Sequence, residues 1–313
     1  MNRSQANLLL LAVAVIWGSA FVAQAEGMLG VGPLTFTGIR FLLGATIVLP
    51  LAWREWRLLS VRGARPQAGD VLGVSALGVL LMLGAVLQQI GITSTTVTNA
   101  GFLTALYVPL VPLLAWLILQ TRPHWSVWPT SLGCLAGSWL LSGTHEIDLM
   151  VGDLWVIASS VFWALHVLFV GRVTERIAAP FLVACGQFLV CGVISLLAAG
   201  LGETITLTGI RQAGLPIVYA GVFSVAIGFT AQVVGQRYSQ PADAAIILSA
   251  ETVFAALFGF LLMGDRLSVS GMAGCTLILG GIIVVQIAPL TRAGPDAPAG
   301  RTQPGGPGNA PNR

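Results

Sequence analysis

PADAAIILSAETVFAALFGFLLMGDR, residues 241–266, decides how the rest of the chain is read. It holds about twenty apolar residues and, near its centre, one carboxylate, Glu251. At about 1.5 Å per residue, a helix of that length crosses the roughly 30 Å hydrocarbon core of a bilayer, and no turn signal interrupts the run. Glu251 then falls near the midplane, where an ionised side chain costs about 2.5–3.5 kcal/mol even on a mild insertion scale. A residue kept at that cost has a partner or a use, which makes Glu251 the first functional candidate.

Outside this stretch the composition is of the same kind. The 313 residues are 56% hydrophobic and 9% charged, against about 25% charged in soluble domains. This implies a polytopic membrane protein with the lipid bilayer as its surroundings. All 15 basic residues are Arg and the formal net charge is +3. Scattered between apolar runs, they form no basic face for nucleic acid. Cys134, Cys185, Cys191 and Cys275 fall inside apolar runs without metal-ligand spacing and are expected to be small packing residues. The N-terminus, Asn2-Arg3 followed by an apolar stretch ending Ala23-Gln24-Ala25, imitates a secretory signal. The repeat described below gives that stretch a full-length counterpart, so it is expected to remain as the first span.

Hydropathy divides the chain into ten expected spans: Leu8 to Gly27, Pro33 to Trp53, Asp70 to Ile92, Val97 to Leu119, Trp125 to Gly143, Gly152 to Gly171, Pro180 to Gly200, Gly214 to Gly235, Pro241 to Met263 and Val269 to Ala288. The longest polar connection, REWRLLSVRGARP, lies between spans two and three. The tail from residue 289 is dense in Pro and Gly, has too little apolar surface to bury, and is expected to be disordered. Twelve arginines fall on the side of the N-terminus and only Arg211 and Arg266 on the other, with Arg40 inside span two. The positive-inside rule puts both termini in the cytoplasm, and Glu146, Asp148 and Asp153, between spans five and six, outside.

The second half repeats the first. At an offset of 146, Trp17 pairs with Trp163; at 147, Pro33 pairs with Pro180; at 144, Gly84 pairs with Gly228, Gln88 with Gln232 and Arg122 with Arg266. Five spans per repeat is an odd number, so the second repeat enters the membrane from the opposite side. The expected fold is therefore all-α: ten transmembrane helices as two inverted five-helix repeats, residues 1–146 and 147–288. Transporters built in this way bind substrate near the midplane, between the repeats. No selectivity-filter sequence, His-Glu metal motif, nucleophile elbow or phosphate loop is found, so a channel or an enzyme is less expected, and neither cofactor nor metal is called for.

IWGSAFVAQ in span one, GIRFLLGA in span two, NAGFLTALYVPLVPLLAWLIL in span four, and LSAETVFAALFGFLLMGDRLS followed by GMAGCTLILGGIIVV resemble the EamA-like transporters of the drug/metabolite transporter superfamily. The resemblance runs from residue 5 to 288. It implies two inverted repeats in a bacterial inner membrane and export or exchange of small metabolites such as amino acids. This chain reads Glu251-Thr252 where the family usually reads Glu-Pro, and Gly264-Asp265-Arg266 where Gly-Glu-Arg is usual. The first difference removes a helix-kinking proline, so the family's bend in span nine is not carried over.

The candidate residues each have a plain alternative. Glu251 is a hydrogen-bonded structural group, a partner for Arg40, or a substrate or proton site; burial favours its neutral form and a guanidinium its ionised form. Arg40, in the outer half of span two, holds the fold together or offers paired donors to a carboxylate. Its repeat counterpart is Gln187, so the charge is asymmetric. Gln88 and Gln232 serve as interhelical glue or as substrate contacts. Asn99 and Tyr107 correspond to Asp243 and Glu251, and Tyr107 is the better wall residue of the two. Trp17 and Trp163 lie mid-span, outside the interfacial belts, where they pack or stack on substrate. His166 packs or shuttles protons. The small-xxx-small pair Gly133 and Gly137 suits close helix contact.

The expected function is a secondary transporter exporting small organic solutes, amino acids or related compounds, by alternating access. Its partners are a small-molecule substrate, the bilayer and, where coupling is used, protons. Multidrug efflux is the alternative within transport, and a membrane enzyme or sensor on the same scaffold the alternative outside it.

Overall fold

A computed structural model describes residues 1–95, 97–142, 150–258, 260–261 and 268–287. The expected loop residues Glu146 and Asp148, the triplet Gly264-Asp265-Arg266 and the tail from 289 lie outside them. All regular structure among the described residues is helical.

Helix α1 (Arg3–Gly27) starts at a reciprocal cap: Gln5 N–H donates to Asn2 Oδ1 at 2.9 Å and Asn2 N–H donates to Gln5 Oε1 at 3.0 Å. Helices α2 (Pro33–Val61) and α8 (Pro180–Gly202) each open with proline at the first turn, where its missing N–H costs nothing. Helices α3 (Ala68–Ile92) and α7 (Val151–Ile177) complete the long set. The connection expected between spans two and three is largely helix. α2 runs on through Arg54–Val61 because Glu, Trp, Arg and Leu continue a helix readily. It stops at Gly63, whose φ of +68° is a left-handed ending.

Spans four and nine, expected to be continuous, are both broken. Span four is α4 (Val97–Thr104) and α5 (Tyr107–Leu119), interrupted at residues 105–106. Span nine is α12 (Pro241–Leu248) and α13 (Ala250–Phe258), interrupted at Ser249. No proline causes the second break. The Ser249 hydroxyl donates to the Ile246 carbonyl at 2.7 Å and the Thr252 hydroxyl to the Ser249 carbonyl at 2.8 Å, the back-bonding by which Ser and Thr bend helices. Between α8 and span nine lie a short helix α9 (Leu207–Gln212), then α10 (Gly214–Tyr219), a π-helical stretch over Ala220–Phe229, and α11 (Thr230–Gln236).

Among the described residues, eight helical stretches are long and apolar enough to cross a membrane. α6 (Val127–Ser142) and α14 (Val269–Ile287) correspond to the remaining expected spans; α6 has 16 residues, and the apolar run of α14 is Val269–Val285. Leu72, Leu197 and Leu215 are among the large apolar side chains turned outward, as helices in a lipid solvent require.

α2 packs on α8 and the π-helical stretch, α3 on α7 and α8, α1 on α12, α13 and the α10–α11 run, and α6 on α14. Gly137 and Gly274 make the α6–α14 approach possible, since a Cβ on either would lie 2.7 or 2.3 Å from the other's carbonyl oxygen. Gly133 faces no neighbour within 4 Å and takes no part in a close contact. Gly18 holds α1 against α13: a Cβ there would meet Phe254 Cβ at 2.6 Å and the Glu251 carbonyl oxygen at 2.8 Å. Gly18→Val is therefore expected to cost about 1–3 kcal/mol as overpacking, read as a lower melting temperature of the purified protein; an unchanged melt would show that α1 can move aside freely.

Several contacts recur at repeat-related positions. Trp17 packs on Gly228, and Trp163 on Gly84. The Glu203 carboxylate accepts from the backbone N–H groups of Leu34 and Thr35 at the start of α2, while Glu55, at the far end of α2, accepts from Leu182 N–H at the start of α8. Ser239 donates to Asn7 Oδ1 at 3.1 Å, and Thr95 donates to Asp153 Oδ1.

Candidate functional site

Where the broken spans face α1, α2, α3, α7 and the π-helical stretch, a pocket opens whose empty space, open solvent included, is about 530 Å³. Seven of the residues proposed from the sequence meet in its wall: Glu251, Arg40, Tyr107, Trp17, Trp163, Gln88 and Gln232. Tyr107 begins α5 and Glu251 is the second residue of α13. Both residues thus sit at the restart of an interrupted helix, the kind of element that forms substrate sites at the midplane of repeat transporters.

The charged groups are buried and do not neutralise each other. Arg40 is 2% exposed and Glu251 5%. The ion pairs among the described residues are Arg3–Asp243 and Arg176–Asp70, so Arg40 and Glu251 line one pocket without pairing. Arg40 is steadied by aromatic faces: its guanidinium carbon lies 5.3 Å from the Phe36 ring centre and 5.2 Å from that of Phe41, and its Nε finds no hydrogen-bond partner. Tyr107 Oη, Trp163 Nε1, Gln232 Oε1 and Gln24 Oε1 are likewise buried and unpartnered. Buried polar groups are nearly always satisfied. A pocket wall carrying this many open donors and acceptors is shaped for a polar occupant.

One side of the wall is aromatic. Phe229 stands between the repeat-related tryptophans, stacked on Trp163 at 5.8 Å and tilted against Trp17 at 4.6 Å. Trp17 is fixed further by donating its Nε1–H to the Ser224 carbonyl at 3.3 Å, an acceptor that lies in the π-helical stretch, a local distortion common at functional sites. Gln88 donates to Thr104 at 2.8 Å, so its amide is partly committed.

His166 does not line the pocket. It is fully buried behind the wall, hydrogen-bonded through Nε2 to Gln187 at 2.8 Å, with Trp163 and Phe229 edge-on to its ring. The side chain of Asn99 lies outside the described residues. The structure adds Gln24, Thr104, Ser224 and Phe229 to the wall. Gln24 was legible in principle, because Trp17, Ala20, Phe21 and Gln24 follow the i, i+3, i+4, i+7 spacing of one helix face. Phe229 was not, since nothing local separates it from the other apolar residues of its span. Among the described residues no cluster of His, Cys, Asp and Glu could hold a metal, and the four cysteines are free, with Cys134, Cys185 and Cys191 buried.

The chain is 28% identical over 290 residues to an uncharacterized transporter of Archaeoglobus fulgidus, covering 92% of this chain and 87% of the relative. It is 26% identical to the uncharacterized transporter YwfM of Bacillus subtilis, with coverage of 90% and 94%. It is 23% identical to the uncharacterized inner membrane transporter YedA of Escherichia coli K12, with coverage of 89% on both sides. A solved crystal structure has the same fold at a TM-score of 0.74 and 20% identity, covering 93% of this chain and 99% of that one. The profile of the EamA-like transporter family matches twice, over residues 4–143 and 150–287. The chain is a multi-pass membrane protein, and it belongs to the EamA-like transporter family.

Proposed function

We propose that this transporter exports small amphoteric metabolites, amino acids or related solutes, across a bacterial inner membrane by alternating access. One observation carries the reading: a buried acid, Glu251, and a buried guanidinium, Arg40, face one pocket without pairing. Such an arrangement leaves Arg40 for a carboxylate and Glu251 for an ammonium group or a proton, while Trp17, Trp163 and Phe229 offer an apolar surface for the rest of the solute.

The scaffold is ten helices as two inverted repeats, residues 1–146 and 147–288. The recurrence of the Trp–Gly, helix-cap and hydroxyl–carboxylate contacts at repeat-related positions supports it. So do the breaks in spans four and nine, which fall at matching places beside Tyr107 and Glu251. Both termini lie in the cytoplasm on the arginine distribution, and an inner-membrane relative supports the location. The chain catalyses no chemical change in this reading.

Counterflow tests it. Proteoliposomes preloaded with a panel of unlabelled metabolites should accumulate at least one labelled carboxylate-bearing amine well above protein-free liposomes. Accumulation of lipophilic cations alone would replace this reading with multidrug efflux, and chemical conversion without movement would replace it with an enzyme.

A further inference from the structure

The two ion pairs among the described residues close the same face of the protein, the one that carries the N-terminus. Arg3 Nη2 donates to Asp243 Oδ2 at 2.6 Å, joining the first turn of α1 to the first turn of α12. Arg176 Nε meets Asp70 Oδ1 at 2.8 Å, joining the last turn of α7 to the first turn of α3. The first pair is the better sheltered, with the Asp243 side chain 10% exposed and that of Arg3 37%. The Ser239–Asn7 hydrogen bond adds a third tie one turn further into α1.

Along α1 and α12, packed side chains fill the space between this face and the pocket. Arg3, Asn7, Leu10, Ala14 and Trp17 follow one stripe of α1. Leu10 and Ala14 are fully buried against Ala244, Ala245, Ile246, Ile247 and Leu248 of α12, themselves fully buried. Apart from Gln232 and Val167, the pocket wall is drawn instead from the middle and far parts of its helices: Gln24 lies one turn before the end of α1, and Gln88 one turn before the end of α3.

The two faces differ in charge. Under the repeat offsets, Arg3 and Asp243 correspond to Leu149 and Asn99, and Asp70 and Arg176 to Gly214 and Gly30. The hydroxyl contact Ser239–Asn7 has its counterpart in Thr95–Asp153, so hydrogen bonds tie both faces. At the positions that correspond to the two ion pairs, the sequence has no charged residue. From this asymmetry, and resting on the alternating-access reading above, we infer that Arg3–Asp243 and Arg176–Asp70 are latches that hold the N-terminal face shut. They set the resting state as the one whose pocket is reached from the opposite face, and opening toward the N-terminal side requires both to part. An equilibrium between two such states shifts by whatever free energy favours one of them alone. Weakening a latch therefore raises the population open on that side.

A cysteine on the α1 stripe reads this without any substrate. Ala14→Cys, in a Cys275→Ser background, would be reacted with a membrane-impermeant maleimide in inverted vesicles, which expose the face of the termini, and in right-side-out vesicles. In the latched protein labelling should be slow from both sides. Arg3→Gln or Asp243→Asn should speed labelling about tenfold in inverted vesicles only, and adding Arg176→Gln should speed it further. The exchanged pair Arg3→Asp with Asp243→Arg should return the slow rate, which a merely damaged protein could not do. Labelling unchanged by Arg3→Gln together with Arg176→Gln, or equally fast from both sides, would overturn the latch. A latch that behaves as expected in a protein that moves no solute would leave this inference standing and remove the transport reading instead.

Discussion

Glu251→Gln is expected to uncouple transport from an imposed proton gradient while leaving solute exchange in place. If one proton moves per solute, a gradient of one pH unit, about 1.4 kcal/mol, sustains roughly tenfold accumulation in the wild type. With Gln at this position the group that takes up the proton is gone, so accumulation should fall to the level of simple equilibration. The amide is nearly isosteric with the acid it replaces, and Glu251 has no ion-pair partner among the described residues that would be stranded. Stability should therefore hold. Gradient-dependent uptake into proteoliposomes measures the coupling, and counterflow without a gradient measures what survives. Unchanged gradient dependence would make Glu251 structural and move the search for coupling elsewhere in the wall.

The second large effect is expected at Arg40. Removing the guanidinium takes away paired, charge-assisted donors to a solute carboxylate, worth about 1.5–3 kcal/mol per hydrogen bond to a charged group. Arg40→Gln should then weaken competition by carboxylate-bearing solutes roughly 10- to 150-fold at that scale. Their decarboxylated amines should be affected little. Arg40→Lys should recover only part of the loss, since an ammonium is a point charge and lacks the planar fork that lies over Phe36 and Phe41. Stability separates this role from a structural one. A buried cation without an acid partner destabilises the bundle, so Arg40→Gln should melt at the same temperature or higher. A marked drop in melting temperature with unchanged solute discrimination would make Arg40 a packing residue.

Much of the architecture was legible because the membrane imposes it. Apolar runs of fixed length mark the long helices, and Pro33 and Pro180 mark two of their starts. The repeat pairs Trp17 with Trp163 and Gly84 with Gly228 reappear as contacts in which each tryptophan packs on the glycine of the opposite half. Seven of the proposed site residues converge for a physical reason: a polar or aromatic side chain kept mid-span has to face protein and not lipid. Position along the span does not tell the pocket wall from the layer behind it, and so His166 was grouped with residues from which it is set back.

The broken spans escaped because Ala105-Leu106 and Ser249-Ala250 carry no Gly or Pro. Span four breaks at the carbonyl of Ala105, which the Pro109 ring crowds from four residues further on, and span nine at hydroxyl back-bonding, which hydropathy does not record. The π-helical stretch over Ala220–Phe229 escaped for the same reason. The ion-pair latches needed the fold itself, since Arg3 and Asp243 lie 240 residues apart.

The most direct measurement places a cysteine at Ala20, in the pocket wall between Trp17 and Gln24, and follows its reaction with an impermeant thiol reagent as a transported solute is added. If the solute rests between Arg40 and Glu251, labelling should slow by tenfold or more at saturation, half-protection should fall at the concentration that half-saturates transport, and Arg40→Gln should move both together. Labelling that a saturating, transported solute leaves unchanged would contradict the pocket as the transport site.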